Sequence, residues 1–218
     1  GRLFGVSDLL DRAGEEFAAL RGPGKLPIVE LTGEIYVRAV AFSNDFLIEK
    51  LEARGLRVHL TPASEWISYC GYAPRRQKGR NRLANRFSDL VQRRIHAAAI
   101  AVMARHLGWE APPTPAESLA AARPYINDAL EGEAVLTVGG PLHEWRRGEI
   151  DAVVSVGPLE CMPSKIAEAQ FHHVGEREGL LSLSLAFNGD PITTSALDNF
   201  AFEVNSRFRR KSADPVFR

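Results

Sequence analysis

Apolar residues recur at spacings of three and four from Val6 through Leu9, Leu10, Ala13 and Phe17 to Leu20. That spacing predicts an amphipathic helix over residues 6–20, capped by Ser7 and ended by Gly22-Pro23-Gly24. The pattern then changes. Residues 28–37 are rich in β-branched and apolar side chains and read as a strand entering a polar loop. Ser43-Asn44-Asp45 caps a helix over about 44–54, with Phe46, Leu47, Ile48 and Leu51 on its buried side and Gly55 at its end. Residues 56–60 form the next short strand. Strand, helix, glycine and strand in this order make a βαβ unit, which builds parallel sheets with right-handed crossovers.

Residues 75–107 predict one long helical insertion, with Leu83, Phe87, Leu90, Val91, Ile95, Ala98, Val102 and Leu107 along one side. Pro112, Pro113 and Pro115 interrupt the chain, a second helix runs from Thr114 or Pro115 to about 122, and a third is expected near Tyr125. Residues 134–147 fit two patterns. Their first five residues have strand composition, while the spacing through Leu142 and Trp145 is helical, and we assign them to helix. Residues 150–156 read as a strand, 163–178 as a helix ending at Gly179, 180–187 as a strand and 193–208 as a closing helix. Four strands alternating with helices predict an α/β fold, a compact parallel sheet of about four strands with helices on both faces. The expected organisation is an N-terminal helix and linker (1–24), the α/β domain (25–211, with a helical insertion at 75–125) and a flexible tail (212–218).

The 218 residues include 27 basic and 27 acidic side chains, and 45% are apolar, as in an ordinary globular protein. Zero formal charge argues against a nucleic-acid or anionic-membrane protein, since both rely on summed positive potential. The longest apolar stretches, residues 97–104 and 180–187, fall short of the ~20 that span a bilayer. With no secretory leader visible, the expectation is a cytoplasmic protein whose Cys70 and Cys161 are reduced thiols. The first residue is Gly1, which leads us to expect a piece of something longer. One local charge pattern stands out: Arg75, Arg76, Lys78, Arg80, Arg82, Arg86, Arg93 and Arg94 give the long helix a basic face. Such a face suits RNA, a CoA phosphate or an acidic partner, or is simply solvated. The lack of interleaved aromatics disfavours nucleic acid.

Parallel sheets bind ligands at the carboxyl ends of their strands, which selects the loops at 32–44, 62–72, 157–163 and 188–194. In the third, Cys161 stands just before Pro163 at a predicted helix start, where free N–H groups and the helix dipole favour the thiolate. A small cysteine packed beneath the helix is the equal alternative. One cysteine cannot by itself hold zinc or an iron–sulfur cluster. Cys70 is either a borrowed ligand or packing. Glu34, Arg38 and Glu65 come from neighbouring strand ends and are candidate catalytic residues facing one crevice. Structurally, Glu34–Arg38 could instead be an ion pair and Glu65 a cap for the segment starting at Trp66. His59, His96, His106, His143 and His172-His173 show no His-x-x-x-His spacing. There is no phosphate-binding glycine-lysine loop and no nucleophile elbow, so neither an ATPase nor an α/β-hydrolase is expected.

Several segments together carry a family resemblance. Thr32-Gly33-Glu34-Ile35-Tyr36-Val37-Arg38, Phe42-Ser43-Asn44, Leu51-Glu52-Ala53-Arg54-Gly55, Glu65-Trp66-Ile67 with Tyr69, Gly132-Glu133-Ala134, Cys161-Met162-Pro163-Ser164, Asn188-Gly189-Asp190 and Phe200 follow one another in order. They resemble the C-terminal half of the 2-hydroxyacyl-CoA dehydratase and benzoyl-CoA reductase-like superfamily, nearest to the region fused to CoA-substrate-specific enzyme activases. The resemblance runs from about Pro27 to about Arg207. It implies a flavodoxin-like or Rossmann-like α/β domain that shares an iron–sulfur cluster (4Fe-4S) with a second α/β half or subunit. An ATP-hydrolysing activator domain would supply low-potential electrons, and an acyl-CoA would be the substrate. Cys161 matches the cysteine of the family's Cys-Met-Pro-Ser segment and so becomes the metal- and cofactor-binding candidate; Cys70 receives no such role.

Two departures matter. Leu159 stands where phenylalanine is usual, and residues 195–200 (Ser-Ala-Leu-Asp-Asn-Phe) replace a Thr-Arg-(Ile/Leu)-Glu-Ala-Phe pattern, losing its arginine. The expectation is therefore a domain of an ATP-driven electron-transfer protein in anaerobic metabolism, inactive by itself unless two copies or a partner meet. The alternatives are an α/β scaffold or interaction module that has lost the redox role, and a Cys161 acting as a redox or nucleophilic thiol without metal.

Overall fold

The structure, a computed structural model, describes residues 3–22, 24–72, 82–127 and 129–213. In chain order its elements are α1 (Val6–Ala19), β1 (Ile28–Gly33), α2 (Ile35–Ala39), a 3-10 turn (Ala41–Asn44), α3 (Leu47–Glu52), β2 (Arg57–Leu60) and α4 (Ser64–Tyr72). There follow α5 (Arg82–Leu107), α6 (Pro115–Ala122), α7 (Glu133–Arg147), β3 (Ala152–Pro158), α8 (Met162–Glu178), β4 (Ser182–Phe187) and α9 (Thr194–Ala213). The chain divides into two compact units, one from Gly1–Lys25 with Ile67–Thr114 and one from Leu26–Trp66 with Pro115–Arg218.

In the first unit α1 packs on α5. Asp11 Oδ1 lies 2.7 Å from His106 Nε2 and accepts from Arg105 Nη2 at 3.3 Å, and Arg21 donates to the Leu107 carbonyl. The N-terminal helix and α5 of the expected insertion thus belong to one unit, while α6, the second helix of that insertion, belongs to the other.

The second unit is the expected α/β fold. Its four strands are all parallel in the order β2-β1-β3-β4, with Leu31 of β1 in register with Leu60 on one side and Val154 on the other. Strand alternation sends Val29 and Leu31 to one face, where they pack with Leu47 and Leu51 of α3 and with Leu197, Phe200, Ala201 and Val204 of α9. The opposite face carries Val135, Val138 and Leu142 of α7 and Ala167, Phe171 and Val174 of α8. Glu30 and Thr32 of β1 point to this second face. Among the described residues no helix is long and apolar enough to cross a membrane.

Several local expectations change. The strand predicted through Val37 stops at Gly33. That residue has φ +109°, and a Cβ there would lie 2.0 Å from the Val156 carbonyl oxygen, so the chain turns where only glycine fits. Residues 35–39 then become α2 in spite of Ile35, Tyr36 and Val37, because Glu34 supplies a helix cap. The loop predicted over 62–72 is mostly α4. Among the described residues no helix starts near Tyr125, where the chain forms turns, while residues 134–147 are helical as assigned, in α7. Gly5 in a left-handed conformation, not Ser7, precedes α1. The closing helix continues past 208 to Ala213, into the predicted tail; residues 214–218 lie outside the described residues.

Pro141 sits inside α7. Lacking an N–H, it leaves the Thr137 carbonyl without its usual helical donor. Thr32 Oγ1 donates to that carbonyl across the β1–α7 packing, at 3.5 Å.

Candidate functional site

The strand order reverses between β1 and β3, because the chain leaves β1 toward β2 and returns on the other side. The crevice outside the carboxyl ends of these two strands is therefore where a parallel sheet binds ligands. Gly33 and Glu34 leave β1 here, held by the Glu34 N–H donating to the Val156 carbonyl at 2.9 Å. Glu34 Oε1 accepts from the Tyr36 N–H at 3.1 Å and Oε2 from the Val37 N–H at 2.8 Å, which closes the first turn of α2. Asn44 fastens the other end of this segment. Its Nδ2 donates to the Val37 carbonyl at 2.8 Å and its Oδ1 accepts from the Leu47 N–H at 3.1 Å, so of the expected capping run Ser43-Asn44-Asp45 it is Asn44 that reaches the first N–H of α3, with Phe46 as the residue preceding the helix.

Arg38 is 2% exposed. Its Nη1 donates to the Gly33 carbonyl at 2.9 Å and its Nη2 to Glu65 Oε1 at 3.1 Å. The structural roles anticipated for the two glutamates are exchanged: Glu34 is the cap and Glu65 is the partner of Arg38. Burial pushes the Glu65 carboxyl above its ordinary range although Arg38 pulls it down. Glu133, at the start of α7, is raised by burial and by the Glu34 charge, against the opposing effects of Arg38 and the Ile35 N–H. Of the three candidates, Arg38 and Glu65 contact each other while the Glu34 carboxyl is spent on the backbone of α2, so each is engaged in holding backbone or a neighbouring charge.

Sequence reasoning missed the deeper carboxyls. Glu30, 1% exposed in the middle of β1, accepts from Thr61 Oγ1 at 2.7 Å. Burial first and the Glu144 charge second push its carboxyl well above the usual range. The signal was present in the sequence: a glutamate at the centre of a strand that is covered on both faces has no solvent to point into.

Cys161 is the residue just before the first turn of α8, with φ −64° and ψ 116°, and its side chain makes no capping bond. The turn that delivers it is closed by its own N–H donating to the Pro158 carbonyl at 3.1 Å, with Glu160 held left-handed at φ +61°. Gly157 lets α8 approach: a Cβ there would lie 2.0 Å from Ser164 Oγ and 2.8 Å from Ser164 Cβ. The thiol is free and half-buried, at the strand ends and the helix start as expected. A shallow depression open to solvent lies beside it between β3, β4 and α8, lined by Ser155, Gly157, Ser164, Lys165, Glu168 and Ser184, with Cys161 outside the lining.

Cys70, also a free thiol, lies in α4 within the other unit. Among the described residues, no three His, Cys, Asp or Glu side chains meet in a group that could hold a metal ion. His172 and His173 lie 3.4 and 3.7 Å from Glu176 on α8. Of the basic face on the long helix, Arg94 is exposed on α5, while residues 75–80 and the side chains of Arg82, Arg86 and Arg93 lie outside the described residues.

The fourth loop is tied down from the first. Asp45 Oδ2 accepts from the Ile192 N–H at 2.9 Å, and Asn188 and Asp190 bond each other. In the segment that departs from the resembled pattern, Leu197 and Phe200 are core residues and Asp198 accepts from Arg54 Nε at 2.7 Å. No family model matches the chain, and no curated protein and no solved structure matches it.

Proposed function

We propose that this chain is one α/β half of a two-part, cytoplasmic iron–sulfur protein of the dehydratase and activase type it resembles, and that Cys161 is the single ligand it contributes. The observation that carries this reading is the position of Cys161, a half-buried free thiol just before α8, past the carboxyl end of β3. N–H donors at a helix start are what a cluster thiolate uses to set its potential. The chain's own residues do not fit a whole cluster. A 4Fe-4S cluster takes about four thiolates, and Cys161 is the only cysteine of the α/β unit. The other ligands would come from a second half, subunit or copy, and an ATP-hydrolysing activator and an acyl-CoA complete the system. The isolated chain is expected to be inactive.

The test is anaerobic purification of the protein in its longest native form with its partner, followed by iron and sulfide analysis of wild type and Cys161→Ser. Loss of a large share of both elements in the variant supports the reading; equal iron in the two samples removes the ligand assignment. The lone sulfur, together with the engagement of Asp198 by Arg54 where the resembled pattern carries an arginine nearby, favours a second reading: a scaffold or interaction module without redox role. That reading expects no iron in either sample and unchanged partner binding.

A further inference from the structure

The face of the sheet beneath α7 contains a pair of carboxyl groups that nothing in the proposed function uses. Glu30 of β1 and Glu144 of α7 are 1% and 5% exposed, and His59, which stands in register with Glu30 on β2, brings its Nδ1 3.5 Å from Glu144 Oε2. Oε1 of Glu30 is occupied by the Thr61 hydroxyl. Oε2 of Glu30 and Oε2 of Glu144 have no donor among the described residues. Two ionised carboxylates side by side, away from water, repel each other and lack the donors that buried acceptors require. A metal ion would answer both needs, but no third ligand joins them.

One proton answers them equally well. A carboxylic acid O–H donating to a carboxylate is a strong, charge-assisted bond that partners two orphaned oxygens at once. We propose that Glu30 and Glu144 hold a single proton between them at neutral pH, a latch that seats α7 on β1 and opens when the proton leaves.

The surroundings fit this use. His59 on β2, with 49% of its side chain exposed, places Nδ1 3.5 Å from Glu144 Oε2. It is the solvent-facing neighbour of the pair. Glu65 of α4 adds a further negative influence on Glu30. Glu133 of α7 adds to that around Glu65. Arg38 is committed to Glu65 and to the Gly33 carbonyl, which leaves the pair without a contacting cation on that side. Burial and the Glu144 charge raise the Glu30 carboxyl, which is the direction a proton-holding pair requires.

The sign of the pH effect follows. The folded chain keeps a proton that the unfolded chain loses near the ordinary glutamate value. The contribution is therefore present below that value and is lost as pH rises through the raised folded value.

The test is infrared spectroscopy of the folded protein at neutral pH, with thermal unfolding from about pH 5 to about pH 8. Wild type should show the carbonyl stretch of an un-ionised carboxylic acid, and Glu30→Gln should abolish it. That variant should also flatten the decline of Tm with rising pH, because the amide donates to Glu144 without a proton. Should Glu30→Gln fail to fold, Glu144→Gln serves: the stretch should shift or vanish, since its hydrogen-bond acceptor has been replaced. Absence of the stretch in wild type, or a stretch unchanged in every folded variant, overturns the proposal.

Discussion

Arg38 and Glu65 form an ion pair at the candidate site that is nearly closed to water, with side chains 2% and 14% exposed and 3.1 Å between Nη2 and Oε1. The same guanidinium bonds the Gly33 carbonyl, so it ties the turn after β1 to the start of α4. A side chain in this position stabilises by satisfying several neighbours at once. Losing it leaves them all unpaired.

Replacing it should therefore be costly and pH-dependent. Arg38→Met is expected to lose about 3–5 kcal/mol near pH 8 and progressively less toward acid pH, because burial raises the Glu65 carboxyl and a protonated Glu65 no longer needs a cation. Glu65→Gln should cost less, since the amide oxygen still accepts from Nη2. Urea unfolding of both variants across that range measures this. An Arg38→Met loss that is the same throughout would sink it.

The approach of α8 to β3 gives a second test. At Gly157 a Cβ would meet both Oγ and Cβ of Ser164, so rotating the serine does not make room. Gly157→Ala should lose about 1–3 kcal/mol and speed or slow the reaction of Cys161 with an alkylating agent, because the turn carrying the thiol moves. Adding Ser164→Gly should recover most of both. A double variant no better than the single one would show that the strain lies elsewhere.

The bond from Thr32 to the Thr137 carbonyl exists because Pro141 cannot supply one. Thr32→Val should cost about 1 kcal/mol in the native sequence and close to nothing once Pro141→Ala has restored an N–H within the helix. A double-mutant cycle reads the difference. Additive losses would mean that the two residues do not share this carbonyl.

Stability should peak on the acid side of neutrality. Glu30, Glu65 and Glu133 are all raised, each mainly by burial, so the folded state holds protons the unfolded state has released, and stability falls as pH rises through their folded values. Glu178 runs the other way. Arg146 holds it below its ordinary range, Nη2 to Oε1 being 2.6 Å, so its contribution is present above the unfolded value and lost as pH falls through the folded one. Calorimetry across the range should show Tm declining from about pH 5.5 to about pH 8, and Glu178→Gln should lower Tm at neutral pH while flattening the fall on the acid limb. A Tm that climbs toward pH 8 would contradict the carboxyl assignments.

Pattern and composition located the four strands and the longer helices of the α/β unit, α7, α8 and α9, because these elements have strand composition or helical spacing and several end on a recognisable residue such as Gly179. It failed where a distant group overrides local preference. Residues 35–37 have strand-forming side chains, yet the two N–H bonds to Glu34 and the turn at Gly33 make them helical. The pairing of α1 with α5 joins residues more than eighty positions apart, which no local window registers. At the site, the place of Cys161 was legible from its helix start. The exchange of roles between Glu34 and Glu65, and the depth of Glu30, depend on which side chains the folded sheet brings within reach.

The central position of β1 also dictates an order of assembly. Its one neighbour, β2, follows within about thirty residues, whereas the other, β3, arrives only with residues 152–158, after α4, α5, α6 and α7. During synthesis the first strand must therefore wait, half-paired, while a long stretch of chain emerges. Helices that form early within that stretch shorten the effective span to be closed and so lower the entropy lost when β3 finally docks.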